Sequence, residues 1–149
     1  MSEVVVGIDG SDESAAVLRW ALDEAVLRGA ALKIVCATHS PATWLGMGEA
    51  LGSAVTATLS EDDLTAFARS TIDEVMGQVG DTGGVVITKD ARIGNPADVL
   101  VEASHDADLL VVGSRGHGDL GSVLLGSVGM HCVHHSHCPV VVIPSPEKR

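Results

Sequence analysis

The chain has no tyrosine, a single phenylalanine and two tryptophans, so its interior cannot be assembled around large rings. Val, Leu, Ile and Ala must fill it instead, in a 149-residue chain that is 46% hydrophobic. An aliphatic interior suits a parallel sheet covered on both faces by helices, whose strands read as unbroken apolar runs. Cysteine is sparse and odd in number, Cys36, Cys132 and Cys138, which excludes a secreted disulfide framework. Cys36 sits inside an aliphatic run and reads as a buried thiol. Basic residues are scarce, 9 against 20 acidic ones, for a net charge of −11 with neutral histidines. Such a charge repels phosphate backbones and anionic membranes at long range, so neither nucleic acid nor a membrane is an expected partner. It also demands that any site for an anionic ligand supply its own positive potential. No apolar run approaches the roughly 20 residues that span a bilayer, and Glu3 and Asp9 interrupt the apolar start where a signal peptide would need continuity. The expectation is one cytoplasmic domain over 1–149 with a frayed polar tail over 144–149.

What is present alternates regularly. Val4-Val5-Val6-Gly7-Ile8 reads as a buried strand ending in the polar turn Asp9-Gly10-Ser11. Ser11 is placed to cap a helix whose buried stripe is Leu18, Ala21, Leu22, Ala25 and Val26, closed by Gly29. A second strand runs from Ala31 to Thr38. Residues 39–58 carry Pro41, Gly46, Gly48 and Gly52 and read as a long irregular connection. Trp44, Leu45 and Met47 lie in it, and Trp44 reads equally as a cover for a ligand or partner and as packing for the loop. Ser60-Glu61-Asp62-Asp63 starts a helix with the stripe Leu64, Phe67, Ala68, Thr71, Ile72, Val75, Met76 and Val79, which places Phe67 and Met76 in the core. Val85–Thr88 is a third strand, and Asn95-Pro96 opens a helix that buries Val99, Leu100 and Ala103. Leu109–Val112 is a fourth strand ending at Gly113, a helix follows from about Leu124 to Ser136, and Pro139–Ile143 is the last strand. The order β-α-β-α-β-α-β-α-β implies an α/β fold with a parallel sheet and right-handed crossovers. Ligands of such sheets bind beyond the carboxyl ends of the strands, where the strand order reverses.

Chemistry concentrates between the fourth strand and the last helix, over Gly113-Ser114-Arg115-Gly116-His117-Gly118-Asp119-Leu120-Gly121 and on to Gly126-Ser127. The four glycines of its first nine positions suit a backbone that turns tightly and approaches a ligand. Exposed N–H groups where a strand end meets a helix start form an anion site. Ser127 can donate its hydroxyl to a phosphate, and Arg115 or His117 can add the positive charge that the acidic chain requires. A P-loop is excluded because no lysine precedes Ser127. A dinucleotide fingerprint is excluded because Gly7-Ile8-Asp9-Gly10-Ser11 lacks its spacing.

With these residues in place, the chain resembles the universal stress protein family over its whole length. Gly113, Gly116, Gly126 and Ser127 match the family's ATP-binding pattern of Gly, two residues, Gly, nine residues, Gly and Ser or Thr. Asp9 at the end of the first strand, Gly94-x-Pro96, and Cys138-Pro139-Val140-Val141-Val142 match in order. The resemblance implies a single-domain five-stranded parallel sheet in the order 3-2-1-4-5, helices on both faces, of the Rossmann-like adenine nucleotide alpha hydrolase type. It implies ATP as ligand, with Mg2+ held mainly by the phosphates. Carried over by position, Gly7, Ile8 and Asp9 meet the adenosine and Ala37 lies against the base. Gly113, Ser114, Arg115, Gly116, His117, Gly126, Ser127 and Val128 hold the ribose and phosphates. It also implies a homodimer paired through Val140, Val141, Val142 and Ile143.

The resemblance favours a nucleotide-dependent regulatory module of the stress response. The rivals are a slow ATPase or a nucleotidyl- or phosphoryl-transferring enzyme, and a binder of AMP or another adenine ligand. Asp119 is the nearest carboxylate in the loop and there is no acidic metal cluster for in-line transfer, so no catalytic residue is assigned. His131, His134, His135 and His137 cluster with Cys132 and Cys138. Imidazoles at a helix C-terminus complement the dipole, and no metal is expected there. No residue selects a protein partner.

Overall fold

Three consecutive β-branched residues set the centre of the sheet. In the computed structural model, which describes residues 2–39, 60–115 and 125–145, Val4, Val5 and Val6 of strand β1 (Glu3–Gly7) are completely buried. Successive side chains on a strand point to opposite faces, so β1 feeds two cores. On one face Val4 and Val6 meet Leu18, Ala21 and Leu22 of helix α1 (Ser14–Arg28) and Ala68 and Ile72 of helix α2 (Glu61–Val79). On the other, Val5 and Leu110 meet Val99 and Leu100 of helix α3 (Pro96–Ala103) and Cys132 of helix α4 (Ser127–His135). Each such Val, Leu or Ile side chain stabilises the fold by about 1.5–3 kcal/mol when fully buried. The remaining strands are β2 (Ala31–Thr38), β3 (Ile87–Ile93), β4 (Leu109–Gly113) and β5 (Val140–Ile143). All pairings are parallel and the order is β3-β2-β1-β4-β5, the doubly covered α/β sheet expected from the sequence.

Helix ends follow local chemistry. Gly29 closes α1 in the left-handed region at φ 63°, its N–H donating to the Ala25 and Val26 carbonyls. Ser60 and Asp63 form a reciprocal capping box at the start of α2. Asn95 caps α3, its side-chain oxygen accepting from the Ala97 and Asp98 N–H groups, with Pro96 in the first turn.

Several boundaries differ from expectation. Ser11 does not cap α1. The helix begins at Ser14 without a side-chain cap, because the carboxylate of Asp9 accepts from the Ser11 N–H at 2.9 Å and the Ser14 hydroxyl at 3.2 Å. The polar residues shape the turn instead. Val26 is 51% exposed rather than buried, since the apolar stripe of α1 stops at Ala25. The third strand starts later and runs further, through Lys89, Asp90 and Arg92. It is an edge strand, where charge is tolerated. Arg92 there grips Asp90 with contacts of 2.8–3.1 Å. α4 starts at Ser127, with Gly126 as its N-cap. Leu124, Trp44, Leu45 and Met47 lie outside the described residues. Ser145 donates through its N–H to the Ser114 hydroxyl and through its own hydroxyl to Glu13.

Candidate nucleotide site

The strand order reverses between β1 and its neighbours β2 and β4, and above that point the structure opens a cavity of about 840 Å³. Its floor is the end of β1, Gly7, Ile8 and Asp9, flanked by Ala37, Thr38 and His39 from β2 and Gly113 and Arg115 from β4. One wall is the start of α3, with Asn95 and Asp98. Another is the first turn of α4, with Ser127, Val128 and, one turn on, His131. Phe67 of α2 stands at the rim.

Glycine keeps this floor open. A Cβ at position 7 would stand 2.7 Å from Leu100 Cδ1, and one at position 129 would stand 2.6 Å from Leu125 Cδ1 and 3.5 Å from the Gly113 carbonyl oxygen. Gly129 therefore lets the first turn of α4 close on the end of β4. A glycine inside a helix costs about 1 kcal/mol relative to alanine, and close approach is the physical reason for it.

The two helix starts that border the cavity differ. α3 is closed by Asn95, whose side chain accepts the Ala97 N–H at 2.9 Å and the Asp98 N–H at 3.3 Å. α4 carries no side-chain cap among the described residues. Its first N–H groups, at the positive end of the helix dipole, sit beside the exposed Ser127 and across from Arg115. On the opposite side, Asp9 knits the β1–α1 turn. The Ser14 hydroxyl donates to the Asp9 carboxylate and accepts from the Gly10 N–H at 3.1 Å. Gly10, at φ 82°, makes that turn possible. Burial, helped by the Asp9 carboxylate, pushes the Cys36 thiol up to about 11.

The structure brings together Gly7, Ile8, Asp9, Ala37, Gly113, Arg115, Ser127 and Val128 on this cavity. Ser114 and Gly126 stand behind the wall. The Gly126 N–H donates to the Ser114 carbonyl at 2.6 Å and the Ser114 N–H to Ile143 at 2.8 Å, so they brace the loop ends against β5. Gly116 and His117 lie outside the described residues. Phe67, expected in the core, is instead 65% exposed at the cavity rim, because the buried stripe of α2 runs through Leu64, Ala68, Thr71, Ile72 and Val75 and position 67 falls on its shoulder. Thr38, Asp98 and His131 also line this cavity, positions that no sequence pattern marks.

Among the described residues no group of three or more His, Cys, Asp or Glu side chains is placed to hold a metal ion. Cys132 faces the core and burial pushes its thiol up to about 11. The His105 and His137 rings stack with centroids 3.5 Å apart, and the His131 and His135 rings lie 4.5 Å apart. No helix among the described residues is long and apolar enough to cross a membrane.

A sequence profile of the universal stress protein family matches residues 1–144. The chain belongs to the universal stress protein family. A universal stress protein of Mycobacterium tuberculosis is 35% identical over 150 residues, which cover 97% of this chain and 49% of that protein. The chain spans about half the length of the curated relatives it matches. Among solved structures, a universal stress protein in complex with cAMP is 28% identical with a TM-score of 0.64, covering 95% of each chain. The universal stress protein UspA from Lactobacillus plantarum is 22% identical with a TM-score of 0.74, covering 95% of this chain and 97% of its own, a likeness of fold.

Proposed function

We propose that this chain is an ATP-binding module of the universal stress protein family whose nucleotide occupancy regulates other proteins. The observation that carries the reading is the start of α4, without a side-chain cap among the described residues, beside Ser127 and Arg115 and opening on a cavity at the switch point of the sheet. In this reading Gly7, Ile8 and Asp9 face the adenosine and Ala37 the base. Gly113, Arg115, Ser127 and Val128 hold ribose and phosphates, with Ser114 and Gly126 bracing the loop and Gly116 and His117 completing it. Mg2+ is carried by the phosphates. The family member solved with cAMP supports an adenine ligand. Asp9, already bonded to Ser11 and Ser14, fits a binding role better than that of a base.

Calorimetry with Mg·ATP on nucleotide-stripped protein tests the reading. Micromolar binding is expected, weakened about tenfold or more by Ser127→Ala through loss of a hydrogen bond to a charged phosphate and weakened likewise by Asp9→Ala or Gly116→Ala. No ATP binding by the wild type would reject it. Competition by AMP separates a preference for ATP from one for a monophosphate, and product formed under excess Mg·ATP would mark a slow ATPase. The cytoplasm remains the expected compartment. β5 is an edge strand with one side unpaired among the described residues, and we assign it to an antiparallel pairing of Val140, Val141, Val142 and Ile143 across a homodimer axis. Sedimentation as a monomer would contradict that pairing.

A further inference from the structure

The cavity wall is poorly charged for a polyphosphate. Among its described residues the carboxylates of Asp9, Glu13 and Asp98 face one guanidinium, Arg115, and two imidazoles, His39 and His131. The imidazoles are the groups able to reverse that balance, because histidine changes charge in the physiological range. His131 is the better placed of the two. It lies four residues after Ser127, one helical turn along the same face of α4, and both line the cavity. Its Nε2 is 3.4 Å from Asp98 Oδ1 on α3, with both side chains partly open to solvent. On its own helix it faces the His135 ring at 4.5 Å. β5, which also packs on α4, presents no charged side chain.

We propose that His131 is a phosphate-binding residue that exchanges Asp98 for the nucleotide and couples binding to proton uptake. The inference rests on the nucleotide reading above and adds a contact outside the glycine-and-serine pattern. A protonated imidazole offers the phosphate a charge-assisted hydrogen bond and offsets the Asp98 carboxylate, which would otherwise repel the incoming anion. The phosphates carry more negative charge than the single Asp98 carboxylate they displace, so the exchange favours the charged form of the ring. Ligand binding therefore draws in a proton, and affinity falls as pH rises.

The test is calorimetry of Mg·ATP and of adenosine at about pH 6 and about pH 8, the range over which histidine titrates, on wild type, His131→Gln and His131→Lys. The protonation of the nucleotide is the same in every sample, so the comparison among variants carries the result. Wild type is expected to lose affinity from the lower to the higher pH by up to about tenfold per unit for one proton, beyond the loss in His131→Gln. His131→Gln should match the wild type at the higher pH and lack the wild type's added affinity at the lower one, and His131→Lys should keep the tighter binding at both. Adenosine should not distinguish the three proteins. An equal pH response in wild type and His131→Gln, or an adenosine loss matching the ATP loss, would overturn the assignment. Wild type that binds no ATP at either pH would instead bring down the nucleotide reading and this inference with it.

Discussion

A methyl group at position 7 would have to enter space held by Leu100, whose Cδ atoms would lie 2.7 and 2.8 Å from it. Leu100 is 5% exposed and lines the cavity, so the open side toward which it can yield is the ligand space. Gly7→Ala is therefore expected to cost about 1–3 kcal/mol of stability through overpacking and to weaken the proposed ATP binding by narrowing the floor. Urea denaturation and calorimetry read the two effects. Adding Leu100→Ala should return affinity toward the wild type, a non-additive result expected of residues in contact. Affinity unchanged in Gly7→Ala would mean that Leu100 moves elsewhere.

At the scale of elements, α2 shows how a helix start is specified and how its buried face is misjudged. Ser60 accepts the Asp63 N–H at 3.1 Å while Asp63 accepts the Ser60 N–H at 3.2 Å. Ser60→Ala is expected to lower stability by about 1 kcal/mol, measured by urea denaturation, with little change in the proposed ATP binding because Ser60 is not among the residues that line the cavity. The cap, like Gly29 and Asn95-Pro96, was legible in the sequence because its chemistry is local. Periodicity also gave the direction of each apolar stripe, but not its width. Phe67 and Val26 lie on the shoulders of their stripes, and what packs alongside decides their burial. The start and end of β3 differ from the hydropathy pattern because hydropathy does not report an edge strand, where Lys89 and Arg92 pair with Asp73 and Asp90 at the surface. In the candidate site Gly113 follows from the glycine-rich pattern, and the strand ends Gly7, Ile8, Asp9 and Ala37, which the family resemblance supplies by position, lie on the same cavity. Asp98 and His131 were not, since an α3–α4 contact depends on topology rather than on neighbours in the chain.

At the scale of the whole molecule, the two buried thiols report on the two cores that the sheet separates. Cys36 belongs to the α1–α2 face and Cys132 to the α3–α4 face. Each is pushed from an ordinary value of 9.0 up to about 11, chiefly by burial. A folded-state value above the unfolded one means that the folded protein holds these protons longer. The resulting stability is fully present below about pH 9 and is lost as pH rises toward about 11, as the unfolded chain releases its thiol protons first. Each thiol accounts for on the order of 2 kcal/mol across that window. The absence of tyrosine removes phenolate titration from the same range. Urea denaturation at about pH 8, below this window, and at about pH 10.5, well into it, should show a loss in the wild type that is much smaller in Cys36→Ala/Cys132→Ala. The double variant starts lower because of the atoms it removes, but the slope with pH is the readout. A slope equal to the wild type's would mean that both thiols ionise without leaving the core, and that the two layers are more open to water than their packing indicates.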